Sequence, residues 1–369
     1  MAERIRLMFL GAKHPHIFPR IQLAQGFSDR CEVVGAYDSD YRTLDYLDQN
    51  YQIPTFKTLQ ESLSVDFDIA VIEGYDYQNP DLIRAVIPRV KAILLEKPGA
   101  PNLNAMWDLV QYCSQFPVYV TVGYMLQYSP IFDYVHRIIQ SGVLGPIVLA
   151  RFHAATPVGG AAEIWQSLPE DEGGLVWTDG CHMVRAIIGL FGKPDTVSGM
   201  VKKCPPGKQV VADVFKPDIL AGLGTETTLQ IGTLVHEDVA GAVFNYPDRL
   251  AVFDITGWEA HGWVEEWRIE LWGADATLEA GIMPPRYRLN VRRPHSEYAI
   301  GVHTYAGQGP ASHENTLVPD DAYTREFLQL LDAVEKNSHD QTDLAKGLQT
   351  LEVLDAIYRA SRQGCQVVL

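Results

Sequence analysis

The stretch that decides the fold is IRLMFLGAKHPHIFPRIQLAQGF, residues 5–27. Its first six residues are apolar apart from one arginine and run into Gly11, and from Ile17 onward apolar residues recur at helical spacing. A short apolar strand that passes through a glycine turn into a helix is the opening unit of a parallel α/β sheet. We therefore predict a strand, a turn over 11–16 and a helix.

The same alternation continues for about a hundred residues. Further apolar, strand-like runs lie at 32–37, 69–72, 92–95 and 118–122. Short apolar strands separated by helices indicate a parallel sheet covered on both faces, whereas the longer alternating runs after Gly123 follow one another with few helices and indicate a mostly antiparallel sheet. We expect an α/β chain with a doubly wound parallel sheet over 1–123 and an α+β domain with an open sheet over 124–369.

Charge and composition exclude several classes of partner. The 369 residues include 30 lysines and arginines against 46 aspartates and glutamates, which gives a net charge of −16. A field of this sign repels phosphate backbones and anionic lipid, so we expect neither a nucleic-acid nor a membrane partner. The five cysteines are scattered without a CxxC pair, and no leader or membrane-spanning run is visible, so we expect reduced thiols in a cytoplasmic protein.

The first turn is a candidate dinucleotide site. Ligands of a doubly wound sheet bind at the carboxyl ends of its strands, but of the three fingerprint glycines only Gly11 is present. Lys13 and His16 stand in place of the other two; Lys13 could add charge, and Pro15 suits a helix start. Asp38 ends the second strand, where a carboxylate can bind ribose hydroxyls and repel a 2′-phosphate, which favours NAD over NADP. A solvated loop acid is the alternative.

His14 and His16 have another interpretation. Alternate residues of an extended segment point the same way, so such a pair can hold a metal ion. No further ligands follow at metal-site spacing, and two histidines without a special role at a helix start are the plainer alternative. We predict that the protein holds no metal.

Four motifs, taken in order, carry a family resemblance. They are LEKP at 95–98, GYMLQY at 123–128, GGLVWTDGCH at 173–182 and LFGKP at 190–194. With them, nearly the whole chain resembles the glucose–fructose oxidoreductase / inositol dehydrogenase (Gfo/Idh/MocA) family. The resemblance implies an NAD(P)-binding Rossmann domain, a second domain whose open sheet often forms the contact of a homodimer or homotetramer, and a sugar, cyclitol or diol as substrate.

The resemblance also implies catalytic residues. By position, Lys97 matches the family's catalytic lysine and His182 its catalytic histidine. A histidine titrates near neutrality and can take the proton of an alcohol, while an ammonium group can stabilise the charge that develops on the oxygen. Glu96 could orient Lys97 or touch the nicotinamide ribose. A solvated lysine after a buried strand is the alternative for Lys97.

Departures from the family pattern surround these residues. The segment 174–191 reads as one helix, and the family's aspartate four residues before the histidine is Thr178 here, with Asp179 one residue later. Residues one apart on a helix point about 100° apart, so Asp179 need not inherit that role, although we keep it as a catalytic candidate. In the loop that starts at Gly74, Asn79 replaces a histidine, and Gln127 replaces an arginine common in the family.

Two further residues are candidate substrate contacts. His153 lies on the first strand of the second domain, whose end faces the cleft in relatives, and Trp165 could offer an aromatic face to a sugar; ordinary sheet packing is the alternative. The candidate cofactor contacts are Gly11, Ala12, Lys13, His14, Pro15, His16, Asp38, Gly74, Asn79, Glu96, Lys97 and Gln127. The candidate substrate contacts are Lys97, Tyr124, His153, Trp165, Thr178, Asp179 and His182.

Three functions remain open at this point. The first is an NAD(P)-dependent oxidoreductase that moves a hydride between nicotinamide and a secondary alcohol of a sugar, cyclitol or related polyol. The second is an enzyme that keeps NAD bound and uses transient oxidation for a net non-redox reaction such as glycoside cleavage. The third, suggested by the missing glycines, is a non-catalytic homologue that binds a sugar or nucleotide.

Overall fold

The N-terminal part of the chain is a six-stranded parallel sheet. The structure, a computed structural model, describes residues 3–369 except 13, 15, 156–160, 164–167, 204–208, 212–230, 234, 259–265, 284 and 307–319. The strands are β1 (Ile5–Leu10), β2 (Cys31–Tyr37), β3 (Thr55–Phe56), β4 (Ile69–Ile72), β5 (Ala92–Leu95) and β6 (Tyr119–Val122). Their order is β3-β2-β1-β4-β5-β6, so strand order reverses between β1 and β4, at the place where doubly wound sheets bind ligands.

Helices cover both faces of this sheet. They are α1 (Ile17–Gly26), α2 (Tyr41–Tyr51), α3 (Leu59–Ser62), α4 (Asn79–Val86) and α5 (Leu103–Cys113). Leu7 and Phe9 of β1 pack with α1 on one face, while Met8 and Leu10 pack with α4 and α5 on the other. A strand buried on both faces needs a continuous apolar run, which is why the predicted doubly wound sheet is confirmed.

The second part of the chain contains a nine-stranded, mostly antiparallel sheet. Its strands are β7 (Ile147–Ala155), β9 (Thr196–Lys202), β12 (Val239–Asn245), β13 (Leu250–Thr256), β14 (Glu266–Gly273), β15 (Ala276–Met283), β16 (Arg286–Val291), β17 (Gly301–Ala306) and β18 (Val367–Val368). A three-stranded sheet is formed by β8 (Ala161–Glu163), β10 (Gln209–Val211) and β11 (Ile231–Thr233). The large sheet is ordered β17-β16-β15-β14-β7-β13-β12-β9-β18, and β7 runs parallel to β13, so the predicted open sheet is also confirmed.

Four further helices lie among the described residues. They are α6 (Pro130–Ser141), α7 (Cys181–Phe191), α8 (Asp320–Glu335) and α9 (Thr342–Gln363). The segment predicted as a single helix is a π-helical turn, Val176–Gly180, followed by α7. The turn is wound where the Thr178 carbonyl accepts a hydrogen bond from Lys97 of the first domain, and such turns are frequent at functional sites. No helix among the described residues is long and apolar enough to span a membrane.

The helix α8 returns to the first sheet. Phe327 stacks on Phe27, with ring centroids 6.2 Å apart, and Arg30 bridges Asp332 and Glu335. The helix α9 packs against α7, α5 and β9. The two closing helices therefore tie the second part of the chain to the first and fix the cleft between the two sheets.

Candidate active site

Two glycines meet at the β1–β4 switch point. Gly11 has a φ of +76°, and a Cβ added there would lie 2.5 Å from the backbone nitrogen of Gly74. A side chain at this position would therefore be strained and would collide with the neighbouring loop. Glycine at this position therefore lets the two loops pack backbone to backbone at the strand ends, where Gly11 also lines a cavity.

Asp38 lies beside this turn and lines a cavity of about 270 Å³, as do Gly11 and Tyr77. One carboxylate oxygen accepts a hydrogen bond from the Ala12 N–H at 2.7 Å and the other accepts one from the Asp40 N–H at 2.7 Å. A carboxylate has about four acceptor positions, so two hydrogen bonds from backbone N–H groups do not by themselves exhaust it. The position predicted for the ribose contact therefore fits an adenosine ribose.

The amide of Asn79 supports the same placement. Asn79 opens α4 and is fully buried, yet neither its oxygen nor its nitrogen has a hydrogen-bond partner among the described residues. Its oxygen faces Gly74, because a Cβ added to Gly74 would lie 2.9 Å from it. A buried amide without a partner costs about 1–3 kcal/mol, which a ligand at the switch point would recover. The residues present at this end of the sheet thus fit a dinucleotide.

The two predicted histidines lie against Glu96. His16 Nδ1 is 3.1 Å from Glu96 Oε1, and His14 Nδ1 is 3.6 Å from the same oxygen. Burial, and then the positive charge of Lys97, hold the pKa of His16 well below its usual value, so its ring is neutral at pH 7. Lys13, which precedes His14, and Pro15, which lies between the two histidines, were predicted as cofactor contacts and lie outside the described residues.

Arg20 organises a buried group of acids that sequence reasoning missed. Its guanidinium lies 2.6 Å from Glu73 and from Glu96, and 2.9 Å from Glu326 of α8. Burial raises the pKa of Glu73 to about 8 and that of Glu326 to about 7, despite the guanidinium. The signal available in the sequence was an arginine on the apolar side of α1, beside Ile17 and Ile21, since a buried arginine requires acids around it.

The histidine pair and Glu96 also have the composition of a metal site. Ligand atoms of His14, His16 and Glu96 lie within 4.8 Å of one another. The Arg20 guanidinium already occupies Glu96, and the Lys97 ammonium lies close enough to lower the pKa of both histidines, so a divalent cation would meet two positive charges. The expectation that the protein holds no metal stays a prediction.

Lys97 reaches across the cleft from the end of β5. Its side chain is 2% exposed, and Nζ donates a hydrogen bond to the Thr178 carbonyl at 2.7 Å and lies 3.7 Å from Asp179 Oδ1. Burial works to lower the pKa of Lys97, but the negative groups around it, led by Asp179, outweigh burial and raise the pKa. Lys97 is therefore a positively charged donor held in the cleft rather than a solvated lysine.

His182 lies one turn beyond Thr178, on α7. The ring is buried between Tyr124 and Trp267, with centroids 5.8 and 5.5 Å away, and Nδ1 has no hydrogen-bond partner among the described residues. Burial, and then the charge of Lys97, lower its pKa well below the usual value. The imidazole is therefore neutral at pH 7 and has a nitrogen free to accept a proton.

Tyr124 and Thr178 complete the walls of the cleft. Tyr124 is 1% exposed, its ring lies 5.8 Å from the Arg185 guanidinium, and its hydroxyl has no partner among the described residues. The Thr178 hydroxyl donates to the Gly174 carbonyl, so it is the Thr178 carbonyl, not the hydroxyl, that holds Lys97. The space beside Lys97 is about 10 Å³, room for about one water molecule, so a larger ligand must widen it.

Two of the predicted contacts lie away from this cleft. Phe152 packs toward α7, so the adjacent His153 points to the opposite face of the sheet, where Nδ1 hydrogen-bonds Asp254. Gln127 lies beside Gly189, about two turns along α7 from His182. Trp165 lies outside the described residues.

Sequence reasoning also missed two acids at the cleft. Asp76 follows β4 and lines the space beside Lys97, and Asp171 precedes the π-helical turn; both are more than nine-tenths buried. For Asp76 the signal was its place just after a strand end, where doubly wound sheets bind ligands. No local pattern distinguishes Asp171 from its neighbours Glu170 and Glu172.

A doubly wound sheet with this switch-point cavity, next to a buried lysine and a neutral histidine, has the architecture of a dinucleotide-dependent oxidoreductase. The chain belongs to the Gfo/Idh/MocA oxidoreductase family: the model of its NAD-binding Rossmann fold matches residues 11–124, and the model of its C-terminal alpha/beta domain matches residues 136–369. The predicted family, the oxidoreductase class and NAD as the cofactor are therefore confirmed.

Similar proteins span a range of substrates. A D-xylose 1-dehydrogenase (NADP(+)) of Haloferax volcanii is 23% identical over 86% of both chains. An uncharacterised protein of Saccharomyces cerevisiae is 23% identical, and the match spans 53% of its length. A levoglucosan dehydrogenase solved with NADH and levoglucosan has a TM-score of 0.80 at 13% identity, and the match covers 100% of this chain and 99% of that one. At that identity the likeness shows the fold alone.

Proposed function

We propose that this protein is an NAD-dependent dehydrogenase that oxidises a secondary alcohol of a sugar, cyclitol or related polyol. The observation that carries the proposal is the convergence of Lys97 and His182, from different domains, in one buried cleft at the strand ends. Oxidation of an alcohol requires removal of its proton while a hydride leaves the carbon. A neutral imidazole, and a charged ammonium bonded one helical turn before it, meet both needs.

The cofactor would be held at the switch point. Gly11 and Gly74 would admit its pyrophosphate, and Asp38 would accept the hydroxyls of its adenosine ribose. When bound, NAD supplies a nicotinamide ring that accepts a hydride from the carbinol carbon. Because Asp38 would repel a 2′-phosphate, we propose a preference for NAD over NADP.

The chain's own residues would handle the proton and the charge. His182 would take the hydroxyl proton at its unpartnered nitrogen. Lys97 would donate a hydrogen bond to the same oxygen and stabilise the negative charge that develops there. Asp179 and the Thr178 carbonyl would hold the Lys97 ammonium in place to contact this oxygen. Asp179 is then a positioning residue for Lys97.

We also propose that the protein forms a homodimer or homotetramer through the open face of the nine-stranded sheet. Met200 and Val243 project from that face and are 59% and 40% exposed. Apolar side chains on an uncovered sheet face are typical of an oligomer contact. Light scattering after size exclusion would measure the mass, and a monomer at micromolar concentration would refute this proposal.

Cofactor identity and a lysine variant test the proposed reaction. Mass spectrometry of the denatured protein would identify a co-purified nucleotide, and a sugar and polyol screen with NAD and NADP would follow absorbance at the nicotinamide band. We expect Lys97→Ala to lose about 100-fold or more in kcat, in the range of a lost charge-stabilising donor, while NAD binding is retained. Lys91→Ala removes an exposed lysine that precedes the same strand and is the matched control.

The outcomes separate the three functions. Full activity of Lys97→Ala would exclude the proposed mechanism. Co-purified NAD without net release of NADH during turnover would favour the transient-oxidation enzyme. Sugar binding without nicotinamide binding in calorimetry would favour the non-catalytic homologue.

A further inference from the structure

Two carboxyl groups from different domains meet beside the Lys97 cleft. Asp76 belongs to the loop after β4, and Asp171 belongs to the loop before the π-helical turn. Of all charged groups, Asp171 acts most strongly on Asp76, so the two carboxyl groups lie close together. Glu172 donates its backbone N–H to the Pro101 carbonyl at 2.8 Å, which holds the second loop against the segment that follows Lys97.

Asp171 is the unusual member of this pair. It is 4% exposed, and neither carboxylate oxygen has a hydrogen-bond partner among the described residues. Asp76, in contrast, accepts a hydrogen bond from the Gly99 N–H. Buried acids in folded proteins are paired with cations or hydrogen-bond donors, because an unpaired one is strongly destabilising. Such departures are expected at functional sites, where a ligand can complete the pairing.

The charges of the cleft indicate what that partner is. Lys97 lies 3.7 Å from Asp179, and its charge also acts on Asp76, whereas no cation is among the groups that act on Asp171. Burial, and then repulsion from Asp171, raise the pKa of Asp76, whereas burial and the charge of Glu170 raise the pKa of Asp171 to about 7. The pair therefore tends to hold a proton and carry about one negative charge. One negative charge with several free acceptor positions matches a single ammonium group, which brings one positive charge and three donors.

We propose that the substrate carries a protonated amino group besides the hydroxyl that is oxidised, and that Asp171, assisted by Asp76, binds this amino group. The substrate class is then an amino sugar, amino cyclitol or similar amino polyol. A neutral polyol would leave the negative charge buried, and a sugar acid would add a second negative charge to it. This inference rests on the proposed dehydrogenase function and adds the specificity of its cleft.

Matched substrates test the amino group directly. The probes are three pairs that differ by an amine in place of a hydroxyl: D-glucosamine and D-glucose, D-galactosamine and D-galactose, and scyllo-inosamine and scyllo-inositol, with D-glucuronate as the acid. Turnover is measured with NAD, and dissociation constants are measured by calorimetry on the NADH-loaded protein. We expect at least one amine to bind about 10-fold or more tightly than its hydroxyl partner, and the acid not to bind.

Two variants assign the effect to Asp171. We expect Asp171→Asn to weaken the bound amine by about 10- to 100-fold, the range for hydrogen bonds to a charged group, and to change its hydroxyl partner by about 2-fold or less. Glu170→Gln removes a charge from the adjacent exposed residue. It should leave the ratio of the dissociation constants for the amine and its hydroxyl partner within about 2-fold of the wild-type value. We also expect Asp171→Asn to melt at a higher temperature than the wild type, whereas removal of an acid with a structural role would lower the melting temperature.

The inference fails if no amine binds more tightly than its hydroxyl partner. It also fails if Asp171→Asn leaves the ratio of the two dissociation constants unchanged. Its failure and that of the proposed function are distinguishable. A protein that binds NAD and oxidises neutral polyols without an amine preference overturns this inference alone. A protein that binds no nicotinamide and reduces none with any probe overturns the dehydrogenase itself.

Discussion

Replacing Arg20 by methionine should be the most damaging single change outside the reaction cleft. Methionine keeps much of the volume of the side chain but removes the cation, which leaves Glu73, Glu96 and Glu326 buried without it. Removing one partner of a buried ion pair costs about 3–5 kcal/mol, and here one cation serves three acids. Since domains are stable by about 5–15 kcal/mol, we expect a loss of a third or more of the free energy of unfolding.

The pH dependence of this variant follows from the same acids. Glu73 and Glu326 have pKa values raised to about 8 and about 7 in the folded protein, above the ordinary value near 4.5. An acid whose folded pKa is raised favours the folded state below its unfolded pKa, and this stability is lost as the pH rises through the folded pKa. Without the guanidinium these pKa values rise further, so Arg20→Met should lose more stability than the wild type between pH 5 and 8.

Urea unfolding at pH 5 and pH 8, followed by tryptophan fluorescence and circular dichroism, measures both effects. Arg30→Met is the matched control, because Arg30 also bridges to α8, through Asp332 and Glu335, but its side chain is 26% exposed. An exposed ion pair of this kind contributes about 0–1 kcal/mol. A loss below 1 kcal/mol in Arg20→Met, or equal losses in the two variants, would refute the assignment of a buried, charge-organising role to Arg20.

Two further predictions concern the site itself. His182 has a pKa well below its usual value, so kcat at saturating substrate should stay flat from pH 6.5 to 8 and fall only at more acidic pH; an inflection of kcat inside that window would contradict a neutral base. Titration of the free Asp171 carboxyl, whose pKa is about 7, instead affects kcat/KM for an amine. Gly11→Ala should weaken NAD binding by about 10-fold or more. It should also lower the free energy of unfolding by more than the roughly 1–2 kcal/mol that a left-handed alanine costs, because its Cβ would collide with Gly74. Gly142→Ala, with φ +77° and open space around it, isolates the backbone cost, and equal melting temperatures for the two variants would exclude the close approach.

The parts of this protein that sequence could predict are those with a local signal. The strand of apolar residues before Gly11 and the lysine after β5 are each defined by a few consecutive residues, and the sheet type follows from strands and helices in order. The β7 strand was predicted as well, but the face on which His153 projects depends on its register with β13 and β14, which no local pattern contains. The sequence could therefore not decide whether His153 faces the cleft, which is what its interpretation as a substrate contact requires.

Partners that are distant in sequence were the second limit. Arg20 and Glu326 are 306 residues apart, and Asp76 and Asp171 belong to different domains. In the sequence each of these residues has the pattern of an ordinary polar position. Its role depends on a contact with a distant residue, and that contact exists only in the folded protein. The motif residues Lys97 and His182 are also distant in sequence, 85 residues apart, and they were found only because a family resemblance connects them.

Buried acids that are not fully paired with cations indicate the position of the functional site. Around Arg20 three acids share one cation, and Asp171 is buried with no hydrogen-bond partner among the described residues. A chain selected for stability alone would replace such groups with apolar residues of similar volume, which is often neutral or stabilising. The Arg20 cluster includes Glu96, and Asp76 acts on the next residue, Lys97, so both clusters adjoin the carboxyl end of β5. Stability has been given up at the place where the cofactor and the substrate would meet, and removal of the acid at Asp171 should therefore raise the melting temperature while it lowers the affinity for an amine.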